Sequence, residues 1–133
     1  MKIDSSKVIV TASKEEISEF LKDANNLLHL LPQDKINEFK SSVEECSFKV
    51  QGGITISLIQ DGQEGTDKLF LKSGKFSPFP FRLTIFLTDV EGGTEGYINF
   101  DGQVSPFLKM MVEKPLSNLF NYMTQKLHEH FTK

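Results

Sequence analysis

The chain has 133 residues, a net charge of −3 and a pI near 5.6. Its length suits one domain that folds around its own core, and we expect a single domain over residues 1–133. The lysines are dispersed among 18 acidic residues and there is one arginine, a pattern that disfavours nucleic acid as a partner.

Cysteine use and the start of the chain bear on the cellular compartment. Cys46 is the only cysteine, so no disulfide can form within the chain. No apolar run follows the lysine at position 2, and no apolar run in the chain approaches the length of a membrane span. We therefore expect a cytoplasmic protein that does not insert into a membrane.

The first quarter of the chain predicts a strand and two short helices. The alternation in KVIVTA is typical of a strand. Ser13 stands three residues before Glu16, which is the spacing of a capping box at the start of a helix. Asn25 or Asn26 is expected to cap a second helix, which Pro32 ends.

From about Asn37 onward the apolar residues alternate with a period of two. Six consecutive antiparallel strands are predicted, separated by turn sequences, from INEFKSSV, CSFKV, ITISLI, KLFLKS, FRLTIFLT and YINFDGQV. In the hairpin around QGG, a three-residue loop with a glycine at positive φ would place Phe48 and Val50 on the same face as Ile56 and Leu58. We predict this odd-numbered loop.

A long helix is predicted from Ser105 and Pro106 almost to Phe131, because a cap followed by proline is typical of a helix start. Its apolar residues lie within an arc of about 140 degrees. They are Leu108, Val112, Leu116, Leu119, Phe120, Met123, Leu127 and Phe131. The apolar face of the sheet is marked by Phe48, Val50, Ile56, Leu58, Leu69, Leu71, Phe81, Leu83, Ile85, Ile98 and Phe100. The expected fold is therefore α+β, with the long C-terminal helix packed across the sheet.

Two segments resemble a known superfamily, and the resemblance spans essentially the whole chain. VTASKEEISEFLKDANNLLHLLP is similar to the opening strand, helix pair and proline of START-like (SRPBCC) proteins, and DVEGGTEGYINFDGQVSPFLKMM to their last hairpin and helix start. The likeness is nearest to two branches, one formed by a subunit of carbon monoxide dehydrogenase and the other by polyketide cyclase-like proteins. It implies a helix-grip fold, in which a curved sheet wraps around the last helix and a hydrophobic cavity between them holds an apolar ligand.

The candidate ligand contacts follow from this implied cavity. They are Phe48, Val50, Ile56, Leu58, Leu71, Phe79, Phe81, Leu83, Ile85, Ile98, Phe100, Met111, Leu116, Phe120 and Met123. The alternative is that these side chains simply fill the core. An empty cavity of about 300 Å³ would cost on the order of 7 kcal/mol, comparable with the stability of a whole domain. The abundance of phenylalanine and the absence of tryptophan favour a small cavity.

The stretch SPFPF precedes the fifth of the six strands. Pro78 and Pro80 cannot donate to a sheet ladder, so strand pairing is expected to resume only from about Phe81. Phe79 and Phe81 then form either a seal at the end of the core or one side of a gate. The other side of such a gate would be a helix start that Pro115 kinks. It would carry Phe107, Met110 and Met111.

Few residues offer chemistry. His128 and His130 stand two apart on different helix faces, so they lack the spacing of a helical metal site and are expected to be solvated. His29 is either a functional residue near the cavity mouth or a partly exposed helix histidine. Cys46 has no neighbouring base and is expected to be a buried structural thiol. We expect neither a metal nor a cofactor.

Three functions are compatible with this pattern. Binding of a small apolar ligand, such as a lipid, an acyl chain or a polyketide-like molecule, ranks first because the inward-facing row offers almost no general acid or base. A cyclase- or hydrolase-like enzyme of the same superfamily ranks second. A protein-interaction module ranks third, with Phe70 and Phe86 as an exposed patch on a monomer or weak homodimer.

Overall fold

The computed structural model describes residues 1–50 and 53–132. In these residues the strands are β1 (Lys2–Asp4), β2 (Val8–Val10), β3 (Ile36–Ser41), β4 (Glu45–Val50), β5 (Thr55–Glu64), β6 (Lys68–Ser73), β7 (Phe81–Val90) and β8 (Gly93–Gly102). The helices are α1 (Lys14–Leu21), a 3₁₀ helix (Ala24–Leu30) and α2 (Pro106–Phe131).

The strands form one antiparallel sheet. Its order is β1-β8-β7-β6-β5-β4-β3, and β2 also pairs with β8. From β3 to β8 each strand pairs with the next in sequence, because each pair is joined by a short hairpin connection. The α+β helix-grip architecture expected from the sequence is confirmed, with six consecutive strands followed by one long helix.

The N-terminal strand is broken into two pieces, and the first piece was not predicted. β1 and β2 pair with successive parts of β8. At the break, the Ser5 amide donates to the Ile98 carbonyl at 2.8 Å and the Ser5 hydroxyl accepts from the Ile98 amide at 2.8 Å. A side chain therefore replaces one bond of the ladder. β1 contributes only Ile3 to the core, which is too little for a recognisable alternation.

The first helix starts as predicted and the second does not. The Ser13 hydroxyl accepts from the Glu16 amide at 3.1 Å. The second helix is a 3₁₀ helix capped by Asp23, so the prediction of an asparagine cap is wrong. The physical reason is that the Asn26 side-chain amide donates to the Phe20 carbonyl at 2.9 Å near the end of α1, and is no longer available as a cap. The helix ends before Pro32, as predicted.

The hairpin between β4 and β5 has the predicted register. Phe48 pairs directly with Ile56, which places Phe48 and Val50 on the core face with the apolar residues of β5. Gly53 has a φ of +87°, the conformation expected for a glycine in an odd-numbered loop. Residues 51 and 52, which the loop prediction also covers, lie outside the described residues.

The core lies between the sheet and the helices. All of the predicted sheet-face residues are buried except Val50, which is half-buried. On α2 the buried apolar residues are Val112, Leu116, Leu119, Phe120, Met123 and Leu127, all of them predicted. Leu108 and Phe131 pack against this core from the two ends of the helix. The long helix therefore covers the apolar face of the sheet.

A β-bulge shapes the edge strand β3. Pairing between β3 and β4 shifts register between Asn37 and Lys40. Within the shift, Glu38 has a φ of +55°, which is uncommon for a residue other than glycine. Phe39, the next residue, packs against the core, and its ring centroid lies 6.4 Å from that of Phe48. The bulge thus lets the edge strand place an aromatic side chain on the core.

Gly93 is a position where the fold predicts a large effect of a single methyl group. It begins β8 with a φ of +149°, and a Cβ atom there would overlap the Val10 carbonyl oxygen of β2. We expect Gly93→Ala to lower the free energy of unfolding by about 2–3 kcal/mol, measured by urea denaturation. Gly92→Ala is the matched control, because Gly92 has a φ of +91° but open space around it. It should cost only about 1 kcal/mol. Equal losses would show that the contact with β2 does not matter.

Candidate functional site

The space between the sheet and α2 is filled by side chains. A void of about 10 Å³ remains there, at the lower limit of the room that one water molecule needs. It is lined by Phe48, Ile56, Leu58, Phe81, Leu83, Phe100, Leu116, Leu119, Phe120 and Met123. Most of the predicted ligand contacts therefore meet around one point, but in this conformation they leave no volume of ligand size.

Phe100 is the centre of this packing. Its ring centroid lies 5.2 Å from that of Phe81, 5.5 Å from that of Phe120 and 6.3 Å from that of Phe79. Phe79 and Phe81 are themselves buried, and strand pairing resumes at Phe81 as predicted. The proline-rich stretch thus closes one end of the core, which is the arrangement of a seal.

The residues expected on the other side of a gate do not face the core. Phe107, Met110 and Met111 are 72%, 87% and 54% exposed. At 100 degrees per residue they share one face of α2, roughly opposite the face that carries Val112 and Leu116. The prediction of Met111 as an inward ligand contact is therefore wrong. α2 continues through Pro115 as one helix, and the predicted kink stays a prediction.

The remaining predicted contacts lie around this centre. Leu71, Ile85 and Ile98 are buried in the core but do not line the void. Val50 is half-buried because it lies at the open edge of the sheet. It lines a separate depression, which is the main candidate for a site.

This depression, which we call the edge cleft, lies between the β3–β4 edge of the sheet and the middle of α2. It has a volume of about 390 Å³. It is lined by Pro32, Lys35, Ile36, Val50, Pro115, Asn118, Leu119 and Tyr122. Leu119 also lines the void, so its side chain stands between the cleft and the core. Among the cleft residues only Val50 is a predicted ligand contact, because the lining comes from three separate segments.

One wall of the edge cleft is held by the loop that follows the 3₁₀ helix. The Gln33 side-chain amide donates to the carbonyls of Leu28 and Leu31 at 2.8 and 3.0 Å. The Lys35 amide donates to the Pro32 carbonyl at 2.9 Å. These bonds fix the backbone of the loop, while the Lys35 side chain is exposed.

A second groove, of about 470 Å³, lies on the outer face of the sheet. Ser47 and Ser57 pair directly at its floor, on the side opposite Phe48 and Ile56. The groove has a largely polar lining of serine, lysine and glutamate side chains, and none of its residues belongs to α2. It is larger than the edge cleft, but it does not approach the core between the sheet and the helix.

The histidines form an aromatic cluster with Phe20. The His130 ring centroid lies 4.3 Å from that of Phe20 and 5.9 Å from that of His29. His29 is exposed and lines neither the void nor the edge cleft, which agrees with the exposed helix histidine. The expectation that His128 is simply solvated is wrong, since its Nδ1 lies 2.6 Å from the Ile9 carbonyl oxygen.

Cys46 is buried, as predicted. Its side chain is 2% exposed. Burial, with a smaller effect of the Glu45 charge, raises the pKa of the Cys46 thiol to about 12. The thiol is therefore neutral at physiological pH, which suits a structural residue and not a nucleophile.

The strand aromatics expected to form an interaction patch are partly covered. The Arg82 guanidinium lies 5.3 Å from the Phe70 ring centroid and also pairs with Asp61 at 2.9 Å. Phe86 stacks on Tyr97 with centroids 4.8 Å apart. Both phenylalanines are half-buried, so the exposed patch expected from the sequence is smaller than predicted.

Clustered metal ligands and membrane-spanning helices are both missing from the described residues. Within residues 1–50 and 53–132, no three histidine, cysteine or acidic side chains are grouped so as to hold a metal ion. The expectation that the protein needs no metal stays a prediction. No helix in the described part of the chain combines the length and the hydropathy that a membrane span requires.

Solved structures with the same fold cover nearly the whole chain. A START superfamily protein from Mycobacterium smegmatis has a TM-score of 0.68 and 12% identity, over 98% of this chain and 96% of that one. The KanY protein has a TM-score of 0.76 and 10% identity, over 98% and 97%. A conserved protein from Geobacillus kaustophilus has a TM-score of 0.72 and 12% identity, over 98% and 95%. No protein-family model and no curated protein matches the sequence. At these identities the likeness establishes a START-like fold.

Proposed function

We propose that this START-like protein binds a small apolar molecule, such as a lipid, an acyl chain or a polyketide-like compound, at the edge cleft. The observation that carries the proposal is the position of Leu119, which borders both the cleft and the void at the centre of the core. A ligand in the cleft would need to displace only this side chain to reach the space between the sheet and α2.

The size and lining of the edge cleft support this function. Ligand pockets are typically about 300–1,000 Å³ and mainly apolar, with a few polar groups. The cleft, at about 390 Å³, has apolar walls from Ile36, Val50, Leu119 and two prolines. Met123 lies behind Leu119 in the wall of the void, and a methionine side chain adapts readily to an irregular ligand.

The closed core is compatible with ligand binding. A permanently open cavity would cost about 24 cal/mol per Å³, so a protein without ligand gains stability by closing it. The side of the cleft formed by α2 is the one that can yield. Pro115 has no amide hydrogen, so the bond to the Met111 carbonyl is missing there. The two turns before Pro115 bury only Val112 and part of Leu108.

Leu119→Trp tests the proposal directly. The larger side chain should fill the floor of the edge cleft and weaken ligand binding at least about tenfold, with a stability cost of about 1–3 kcal/mol. Binding is measured by thermal shift and calorimetry with a panel of fatty acids, fatty alcohols, flavonoids and polyketides. A ligand at 100 times its dissociation constant should stabilise the wild-type protein by about 2.7 kcal/mol, or roughly 10 °C in Tm.

Met110→Trp is the matched control. Met110 lies on the same helix but is 87% exposed and does not line the cleft. This variant should bind every ligand as the wild type does. The proposal is wrong if no member of the panel raises the Tm, or if the two tryptophan variants bind equally well.

A further inference from the structure

We infer that the molecule bound at the edge cleft carries one negative charge at one end, a carboxylate or a comparable monoanionic group, which Lys35 holds at the rim. The inference rests on the proposed function and adds the chemical class of the ligand to it. It follows from the charges and hydrogen-bonding groups around the cleft.

Lys35 is the one charged residue among the described residues that line the edge cleft. No carboxylate of the described residues lies within 4.0 Å of its amine, whereas Lys49 on the neighbouring strand is paired with Glu38 at 3.3 Å. The cleft therefore presents a positive charge that the described part of the chain does not neutralise. An apolar cleft with one such charge at its rim complements an apolar molecule with one anionic end.

Two further hydrogen-bond donors lie on the opposite wall. Asn118 and Tyr122 stand one helical turn apart on α2, so they share a face, and both line the cleft. In residues 1–50 and 53–132, neither side chain has a hydrogen-bond partner within the chain. An amide and a phenol can each donate to an anionic oxygen. The Lys126 amine lies 5.7 Å from the Tyr122 ring centroid and adds positive charge beside the same wall.

Acidic residues near the cleft do not cancel this arrangement. Asp34 precedes Lys35 in the chain but does not line the cleft, and Glu38 is engaged by Lys49. The net charge of the whole chain is −3, so the protein as a whole repels anions. Attraction of an anionic ligand would therefore depend on this local group of donors.

The Lys35 side chain is also well placed to act at one position. The Gln33 side chain and the Lys35 amide hold the backbone of its loop through bonds of 2.8 to 3.0 Å. A fixed backbone limits the conformations that the lysine must lose when it binds an anion. The flexible part is only the side chain itself, which can follow the head group of ligands of different length.

The test compares decanoate with 1-decanol, which have the same chain length and differ in charge. Calorimetric titrations use the wild-type protein, Lys35→Gln, Lys35→Arg and Lys75→Gln. Lys75 is the matched control because it is exposed but lines the outer groove and not the edge cleft. We expect Lys35→Gln to weaken decanoate binding about three- to tenfold and to leave 1-decanol binding unchanged. Lys35→Arg should keep most of the affinity, and Lys75→Gln all of it.

The outcomes separate this inference from the proposed function. Equal binding of decanoate by the wild type, Lys35→Gln and Lys75→Gln, with Leu119→Trp still impaired, would overturn the inference and leave apolar binding at the cleft intact. Equal losses in Lys35→Gln and Lys75→Gln would also overturn it, since they would indicate a general effect of charge. If neither decanoate nor 1-decanol binds the wild-type protein, both ideas fail together.

Discussion

Phe100→Ala should lower the free energy of unfolding by about 3–5 kcal/mol, the typical cost of removing a buried phenylalanine. The Phe100 side chain is 1% exposed and its ring contacts three other phenylalanines. The void beside it is only about 10 Å³, so the removed ring would leave a cavity that the neighbours cannot fill without moving the sheet or α2. Urea denaturation measures the loss. A domain with ordinary stability of about 5–15 kcal/mol would lose a large part of it.

Phe76→Ala is the control for this prediction. Phe76 is 62% exposed, so the same change of side chain should alter stability by no more than about 0.5 kcal/mol. A loss below about 1 kcal/mol for Phe100→Ala would mean that the core collapses easily around the missing ring. In that case the centre of the fold would be loosely packed, contrary to the structure.

Cys46 should react with a thiol reagent about a thousand times more slowly in the folded protein than in the urea-unfolded chain at pH 8. The reason is that the thiolate reacts, and burial raises the pKa of Cys46 from 9.0 to about 12. The rate of reaction with Ellman's reagent, followed by absorbance, measures the difference. Comparable rates in the two states would show that β4 opens often enough to expose the thiol.

The same pKa shift predicts a dependence of stability on pH. Because the folded-state pKa of Cys46 lies above its unfolded value of 9.0, the neutral thiol of the folded state costs nothing below pH 9. Above pH 9 the unfolded chain gains free energy by ionising, so this part of the stability is lost progressively as the pH rises toward the folded-state pKa of about 12. Cys46→Ala is the control, since lysines and tyrosines also titrate in this range. The difference between the two proteins isolates the thiol, and no difference would contradict the shift.

The sequence by itself determined the types and order of most elements. The period of two in β3 to β8 and the helical stripe of α2 report directly which side chains face a core, because the backbone geometry sets both periods. The register of the hairpin between β4 and β5 followed in the same way, since a shift by one residue would have moved Phe48 to the other face of the sheet. Ser13 and Ser105 marked two helix starts because caps depend on neighbouring residues only.

Local pattern failed where two nearby residues competed for one role. Asp23 and the asparagines after it are all suitable caps, and the choice between them depended on the bond from Asn26 to the end of α1. β1 was missed because three residues carry no visible period. Met111 was placed inside although it lies on the outer face of α2, since its apolar character was taken as a sign of burial.

Only the tertiary structure decided the character of the candidate site. Whether a row of apolar side chains encloses a cavity or fills it depends on how closely the sheet and α2 approach, and this distance is not written in any local pattern. The edge cleft is likewise built from residues near positions 32–36, 50 and 115–122, which are far apart in the chain. The lysine at its rim acquires meaning only through those neighbours, because electrostatic and packing interactions act through space and not along the sequence.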